Sequence, residues 1–363
     1  MMDMYLRRKV SELSESIFPI MGFFLARRHN LRYSAMGLGL LVCAVTIADV
    51  GAQDINRFGF TRYLMGTEAK IVLYAADSTE AAGAAGKAFD RIDELNEQLS
   101  DYLIDSEVSR LSKTRGQPIT VGENLWNVLF TGQKIARESE GSFDVTVGPL
   151  TILWRKATRR ATLPDAIEIA NAMAAVGYRF VELDANSRTV QLNGENMRLD
   201  LGGIAKGYAA DEALKTLIEA DFASAAVDIG GDIALGNAPP GSDGWSVEVF
   251  DLNTESELET ETLTLENCGI AVSGDTYRYL EYDGIKYSHI INPRTGYGVV
   301  HERRVAVIAP SAMIADAWAS AYSVMAWESA TSDANGRENL STRFVERRES
   351  SLLEVSTGKF LRD

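Results

Sequence analysis

What the chain lacks narrows it first. It has two cysteines in 363 residues, Cys43 and Cys268, and only Cys268 lies beyond the N-terminal segment. One cysteine cannot close an internal disulfide. There are three histidines, His29, His289 and His301, and only the last two fall in the body of the chain. A site of three or more histidines is therefore excluded, and a metal would be held by oxygen ligands, which favours Mg²⁺, Ca²⁺ or Mn²⁺. Basic residues are in deficit: 36 Lys and Arg stand against 51 Asp and Glu, a net charge of −15. No basic run marks the body, so nucleic acid is disfavoured as a partner. An acidic chain does not attract an anionic substrate unaided, so a phosphorylated ligand would need a bridging cation. G-x-G-x-x-G and the Walker pattern are absent. So are internal repeats and low-complexity linkers, which leaves 53–363 as one domain.

What is present begins with a leader. Arg27, Arg28 and Arg32 precede an uncharged run from Tyr33 to Ala48, and small residues follow at Gly51 and Ala52. This n-region, h-region and small-residue site reads as a secretory signal, with cleavage after Ala52. An uncleaved anchor is the alternative, although the run is short for a full span. A second apolar patch, Ile17 to Leu25, precedes the arginines and suggests an internal start at Met21. Leu40-Leu41-Val42-Cys43 is a poor lipobox, because Val42 is too large. Export without disulfides fits a bacterial periplasm.

Periodicity places the elements. Strands are expected over 68–75, 245–250, 260–265 and 305–308, with a closing strand from Leu352 to Leu361. Hairpins are expected over 180–193, turning at Asn186-Ser187, and around Asp283-Gly284. Helices are expected over 79–99, 123–139 and 164–177, and after Pro310-Ser311. Gly148-Pro149 ends a polar–apolar alternation that carries Asp144 and Thr146. Gly230-Gly231 interrupts a strand over 227–237, consistent with a bulge or a close ligand approach. Residues 328–348 are polar and read as loop, and His301 reads as surface.

The centre of the pattern is 199–211, Leu-Asp-Leu-Gly-Gly-Ile-Ala-Lys-Gly-Tyr-Ala-Ala-Asp. It reads as strand, tight Gly turn and helix. Glycines let backbone N–H groups approach a ligand, and a helix N-terminus suits a phosphate. Lys206 adds a full charge, and Asp200 faces the turn. Further on, Asp316 and Ser320 are four residues apart and share one helix face. A carboxylate and a hydroxyl so placed supply two oxygens to a hard cation. His289 sits in the polar, turn-forming stretch Ser288-His289-Ile290-Ile291-Asn292-Pro293-Arg294-Thr295-Gly296.

These pieces, with Met65-Gly66-Thr67, Ser100-Asp101-Tyr102, Ser106-Glu107, Phe143-Asp144 through Leu150, Gly230-Gly231-Asp232 and Ser273-Gly274-Asp275, occur in one order over about 64–327. In that order they resemble the ApbE family, the FAD:protein FMN transferases. The resemblance implies a single α+β domain with mixed and antiparallel sheets and packed helices. It implies Mg²⁺-dependent cleavage of FAD, transfer of FMN to a threonine hydroxyl as a phosphoester, and release of AMP. The acceptors it implies are subunits of membrane redox complexes. Carried over residue by residue, the metal ligands are Asp316, Ser320 and the carbonyl of Ala205. The flavin contacts are Met65, Tyr102, Ser142, Phe143, Asp144, Asp200, Lys206 and Ile290. His289 is the candidate base, with an ordinary pKa near 6.5. Three departures stand out. Ser320 replaces the usual Thr, Asn292 the frequent Asp, and Trp318 the usual Leu. Two other readings share these residues, an FAD pyrophosphatase and a periplasmic flavin-binding protein without turnover.

Overall fold

The structure is a computed structural model, and it describes residues 55–360 other than 115, 251–259, 275–278 and 349–350. The leader over 1–52 and Asp275 of the Ser-Gly-Asp motif lie outside the described residues. The elements run β1 (Asn56–Leu64), β2 (Thr67–Ala75), α1 (Ser78–Leu99), α2 (Glu107–Leu111), β3 (Ile119–Thr120), α3 (Glu123–Glu138), α4 (Gly148–Arg160) and α5 (Ala166–Met173). They continue as β4 (Val181–Asp184), β5 (Thr189–Leu192), α6 (Ala205–Glu219), β6 (Ala225–Ile229), β7 (Asp232–Leu235), β8 (Trp245–Phe250), β9 (Thr260–Leu265) and β10 (Cys268–Gly274). The last are β11 (Tyr279–Tyr282), β12 (Ile285–Ser288), β13 (Glu302–Ala309), α7 (Ala312–Val324), α8 (Trp327–Asn335), β14 (Ser341–Arg348) and β15 (Ser351–Ser356).

The architecture is α+β. Eight strands form one sheet in the order β1-β2-β6-β7-β10-β13-β14-β15, and every pairing is antiparallel. Strand side chains alternate between faces. Ala69, Ile71 and Leu73 of β2 and Val305 and Val307 of β13 therefore join one core with α1, α6 and α7. Ile270, Ala306 and Ile308 point the other way and are covered by Trp245, Val247, Leu263 and Leu265 of the β8–β9 hairpin. Alanines on α1, Ala81, Ala84, Ala85 and Ala88, let that helix lie close to its neighbours. A third cluster packs Leu150 and Trp154 of α4 against Ile169, Leu280 and Ile291, which seats the 288–299 loop.

Four expectations change. No strand precedes the Gly turn; Asp200 N–H instead donates to Val145 O (2.8 Å) in an irregular segment. Gly230-Gly231 is not a bulge but the two-residue turn of the β6–β7 hairpin, pairing Ile229 with Asp232. Both glycines have φ > 0 (64° and 97°), which that kind of turn requires. Gly148-Pro149 opens α4 rather than closing a strand, with Pro149 in the first turn, where no N–H is needed. Residues 328–348 hold most of α8 and all of β14, not a loop. Polarity misleads in β14 because two of its charged residues are buried and paired: Glu346 with buried Arg303 (2.6 Å), and Arg343 with Glu354 at the sheet edge (3.1 Å).

Gly269 of β10 faces the start of α7, and a Cβ there would run into the backbone of Ser311 and Ala312. Backbone cannot rotate away, so Gly269→Ala is expected to cost about 3 kcal/mol. That is a fall of roughly 5–10 °C in Tm, read by calorimetry. An unchanged Tm would show that the sheet and α7 are loosely packed.

Candidate active site

The predicted metal ligands meet where α7 lies against the start of α6. Asp316 is 6% exposed, and its Oδ2 accepts the N–H of Gly207 (3.2 Å). One turn further along α7, Ser320 faces Gly203. A Cβ on Gly203 would lie 2.7 Å from Ser320 Oγ and 3.5 Å from the Phe143 ring, so glycine keeps this space open. Ile204, at the N-cap of α6, supplies no side-chain cap. Ala205 opens the helix, and its carbonyl has a second lone pair beyond the intrahelical bond. Lys206 forms an ion pair with Asp232, the first residue of β7, which is itself buried.

Burial pushes the Asp316 carboxyl up to about 7. The negative charge of Asp232 adds to the shift, and Lys206 opposes it. Burial also raises Asp232, against the pull of Lys206. A buried carboxylate in this state is short of positive charge. An oxygen-ligated cation would supply it, and Asp316, Ser320 Oγ and the Ala205 carbonyl are donors that fit a hard divalent ion. Among the described residues no group of three or more His, Cys, Asp or Glu side chains could hold a metal. The remaining ligands would be water and substrate oxygens.

These shifts fix the sign of a pH dependence. An Asp whose folded pKa is raised binds protons more tightly when folded, so stability falls as pH rises from the unfolded value to the folded one. For Asp316 the window runs from 3.8 to about 7, and for buried Asp211 from 3.8 to about 6. Metal-free protein is expected to lose Tm between about pH 4 and pH 7 through these groups. Mg²⁺ should restore it at about pH 8, and Asp316→Asn should flatten the slope. A Tm–pH slope identical in Asp316→Asn would remove Asp316 from this role.

A second group flanks the Gly turn. Asp200 Oδ1 accepts the N–H of Gly202 (2.8 Å), and Oδ2 faces Arg155 (3.3 Å). Burial and the neighbouring charge of Asp101 push Asp200 up. Arg155 also binds Asp101 (2.6 Å), and its guanidinium lies 3.9 Å above the Tyr102 ring. Tyr102 is 74% exposed, so the ring stands at the surface of the site.

The third group is the 139–147 turn against the 288–299 loop. Ser142 is buried and accepts from Arg294. Asp144 Oδ1 accepts from Thr146 N–H (2.8 Å) and Thr146 Oγ (2.6 Å), and its Oδ2 accepts from Tyr178 N–H (2.7 Å). Its carboxylate holds the turn that places Phe143. Ile290 N–H donates to Ser288 Oγ (2.9 Å), and His289 beside it is exposed. Asn292 Oδ1 accepts from Arg294 N–H (2.9 Å), so it shapes the turn that follows His289. Met65 occupies the β1–β2 turn at φ 51° and packs on the main core. Thr67 beside it fills the space over Gly230, which brings the Met65 turn to the Gly230-Gly231 turn. His301 is not a surface residue. It is half-buried, its Nε2 donates to Ser323 O (2.8 Å), and burial together with Arg303 pushes its pKa down.

Sequence reasoning missed Arg155 and Arg294 as partners of Asp200 and Ser142. Both pairs span many residues, and only the packing of α4 and of the 288–299 loop brings them together. Asp232 was visible beside the double glycine, but its partner Lys206 was not.

Fold and site together define an α+β protein whose Gly turn, helix N-terminus and buried carboxylates gather at one end of an antiparallel sheet. The chain belongs to the ApbE family, whose model matches residues 65–344. It is 29% identical over 309 residues to the FAD:protein FMN transferase of Treponema pallidum, covering 80% of this chain and 85% of that protein. It is 31% identical over 241 residues to the protein of the same name from Vibrio cholerae, covering 65% of this chain and 72% of the relative. Among solved structures, the flavin transferase ApbE from Vibrio cholerae superposes with a TM-score of 0.76 at 26% identity, covering 84% of this chain and 98% of that one. The Pseudomonas stutzeri flavinyl transferase ApbE, apo form, gives 0.75 at 26% identity, with 84% and 96% covered.

Proposed function

We propose that this chain is an FAD:protein FMN transferase that moves FMN to a threonine hydroxyl of an acceptor protein, in a Mg²⁺-dependent reaction that releases AMP. The observation that carries the reading is the meeting of Asp316 and Ser320 with the Gly203 gap and the α6 N-terminus. The transfer itself rests on relatives named for it.

In this reading Asp316, Ser320 and the Ala205 carbonyl hold the cation. A Mg²⁺ held by these residues would supply neutralisation of charge on the pyrophosphate oxygens, the main device available for phosphoanhydride chemistry. The α6 N-terminus adds partial positive charge toward the same oxygens. Arg155 holds Asp200 and Tyr102 at the site's edge, where the exposed ring can stack on FAD. His289, exposed in its loop, takes the proton of the threonine hydroxyl. The threonine Oγ–P bond forms, the P–O bond to the AMP phosphate breaks, and AMP leaves with the bridging oxygen.

Hydrolysis of FAD would use the same residues with water as acceptor. The relatives named for transfer to a protein favour a protein acceptor over water. A storage protein would have no use for the cation ligands. Residues 1–52 carry the signal pattern described above, so we place the enzyme in the periplasm, either cut after Ala52 or held at the inner membrane by an uncleaved leader. A subunit of a membrane redox complex is the acceptor that suits that location. Among the described residues no helix is long and apolar enough to cross a membrane.

The test incubates the protein with FAD, Mg²⁺ and a subunit carrying a candidate threonine. Covalent flavin fluorescence on the subunit in a denaturing gel, blocked by EDTA, is expected. AMP and free FMN with no labelled subunit would favour hydrolysis, and intact bound FAD would favour storage.

A further inference from the structure

α6 and α7 meet in a repeating register. Gly203, just before α6, faces Ser320; Gly207 N–H bonds Asp316; and Asp211 receives the N–H groups of Ala312 (2.8 Å) and Met313 (2.9 Å). Each step is four residues on both segments, and the two run in opposite directions. Four residues rise about 6 Å along a helix, so the steps stay in phase. Gly207 brings the backbones together at the middle step, where a Cβ would run into Ala312 O. Asp211 closes the far end.

Asp211 caps the two first-turn N–H groups of α7, Ala312 and Met313, that Ser311 leaves unmet, and it does so from a different helix. Ser311, the N-cap of α7, already accepts Ile314 N–H on its hydroxyl (3.4 Å) and Ala315 N–H on its carbonyl (3.1 Å). Asp211 adds bonds from another helix, about a hundred residues away in sequence. Burial pushes its carboxyl up to about 6, so this position is costly for a charge. A charge at a helix N-terminus recovers part of that cost. What the arrangement gains is a fixed axial position of α7 on α6. A slip of one residue would move Asp316 and Ser320 by about 1.5 Å relative to Ala205 and Lys206, well beyond the ~0.5 Å that a preorganised site tolerates.

We propose that Asp211 is a positioning residue of the cation site, clamping the first turn of α7 to α6 so that Asp316 and Ser320 are held in register with the α6 N-terminus. The proposal rests on the cation reading of Asp316 and Ser320. Asp211→Asn keeps the shape but offers one acceptor and turns an amide N–H against the second donor. Asp211→Ala removes both acceptors.

The test titrates the full protein and its variants with Mn²⁺ alone, following the free ion by electron paramagnetic resonance. FAD affinity is measured in EDTA alongside. The Mn²⁺ dissociation constant is expected to rise about 10-fold in Asp211→Asn and up to about 100-fold in Asp211→Ala, with FAD affinity in EDTA unchanged. Amide exchange at Ala312 and Met313 should speed up in both variants. Mn²⁺ binding within about twofold of wild type in both, with Asp316→Ala failing to bind, would overturn the proposal and leave the cation reading standing. FAD affinity falling in step with Mn²⁺ affinity would reduce Asp211 to general fold-keeping and overturn it as well. Wild-type Mn²⁺ binding by Asp316→Ala would overturn the cation reading, and the proposal with it.

Discussion

Asp316→Ala is expected to lose transferase turnover by about 10³-fold or more while keeping its fold. A thousandfold is about 4 kcal/mol of barrier, the scale of a lost metal clamp on transferring phosphate. The fold should survive because the position is costly for a carboxylate without a cation, with burial and Asp232 holding its pKa at about 7. Removing the group relieves that cost, and the lost hydrogen bond to Gly207 N–H is long at 3.2 Å. Metal-free Tm should therefore be equal to wild type or higher, and Mg²⁺ should no longer raise it. Asp316→Asn, which keeps the acceptor oxygen for Gly207, should be as inactive as the alanine variant. Activity within tenfold of wild type in either variant would remove Asp316 from the site.

His289→Ala is expected to slow transfer by roughly 10²–10⁴, the contribution of a positioned general base. The loss should fall on kcat, with KM for FAD little changed. The side chain is exposed, and its loop is held in part by Ile290 N–H donating to Ser288 Oγ and Arg294 N–H donating to Asn292 Oδ1. Removing the imidazole should leave that loop, and the Arg294–Ser142 contact, in place. Added imidazole should restore part of the rate. A wild-type rate would make His289 a structural residue and leave proton removal to water.

The legible parts of this molecule are those whose signal is local. The Asp316–Ser320 pair follows from helical spacing alone, and the structure places both on α7 facing α6. The β11–β12 hairpin follows from Asp283-Gly284, and both residues adopt the positive φ that the turn needs. The hidden parts depend on partners distant in sequence. Arg155 meets Asp101 and Asp200 only because Gly148-Pro149 starts a helix, a signal that also fits a strand end. Glu346 lies in a strand that composition presents as loop, because Arg303 neutralises it from β13. Gly230-Gly231 fits a bulge or a hairpin equally well until the pairing of Ile229 with Asp232 separates them. Asp211 carries no local sign of its role, since its hydrogen-bond partners lie on another helix.

Following the two halves of FAD separates transfer from hydrolysis. The protein, Mg²⁺ and an acceptor subunit are given FAD labelled in the flavin half or, separately, in the adenosine half. Flavin label is expected to become covalently bound to the subunit at a threonine, adenosine label to leave in equal amount as AMP, and EDTA or Asp316→Ala to stop both. Adenosine label on the subunit, or AMP release with all flavin label free in solution, would contradict the proposed transfer.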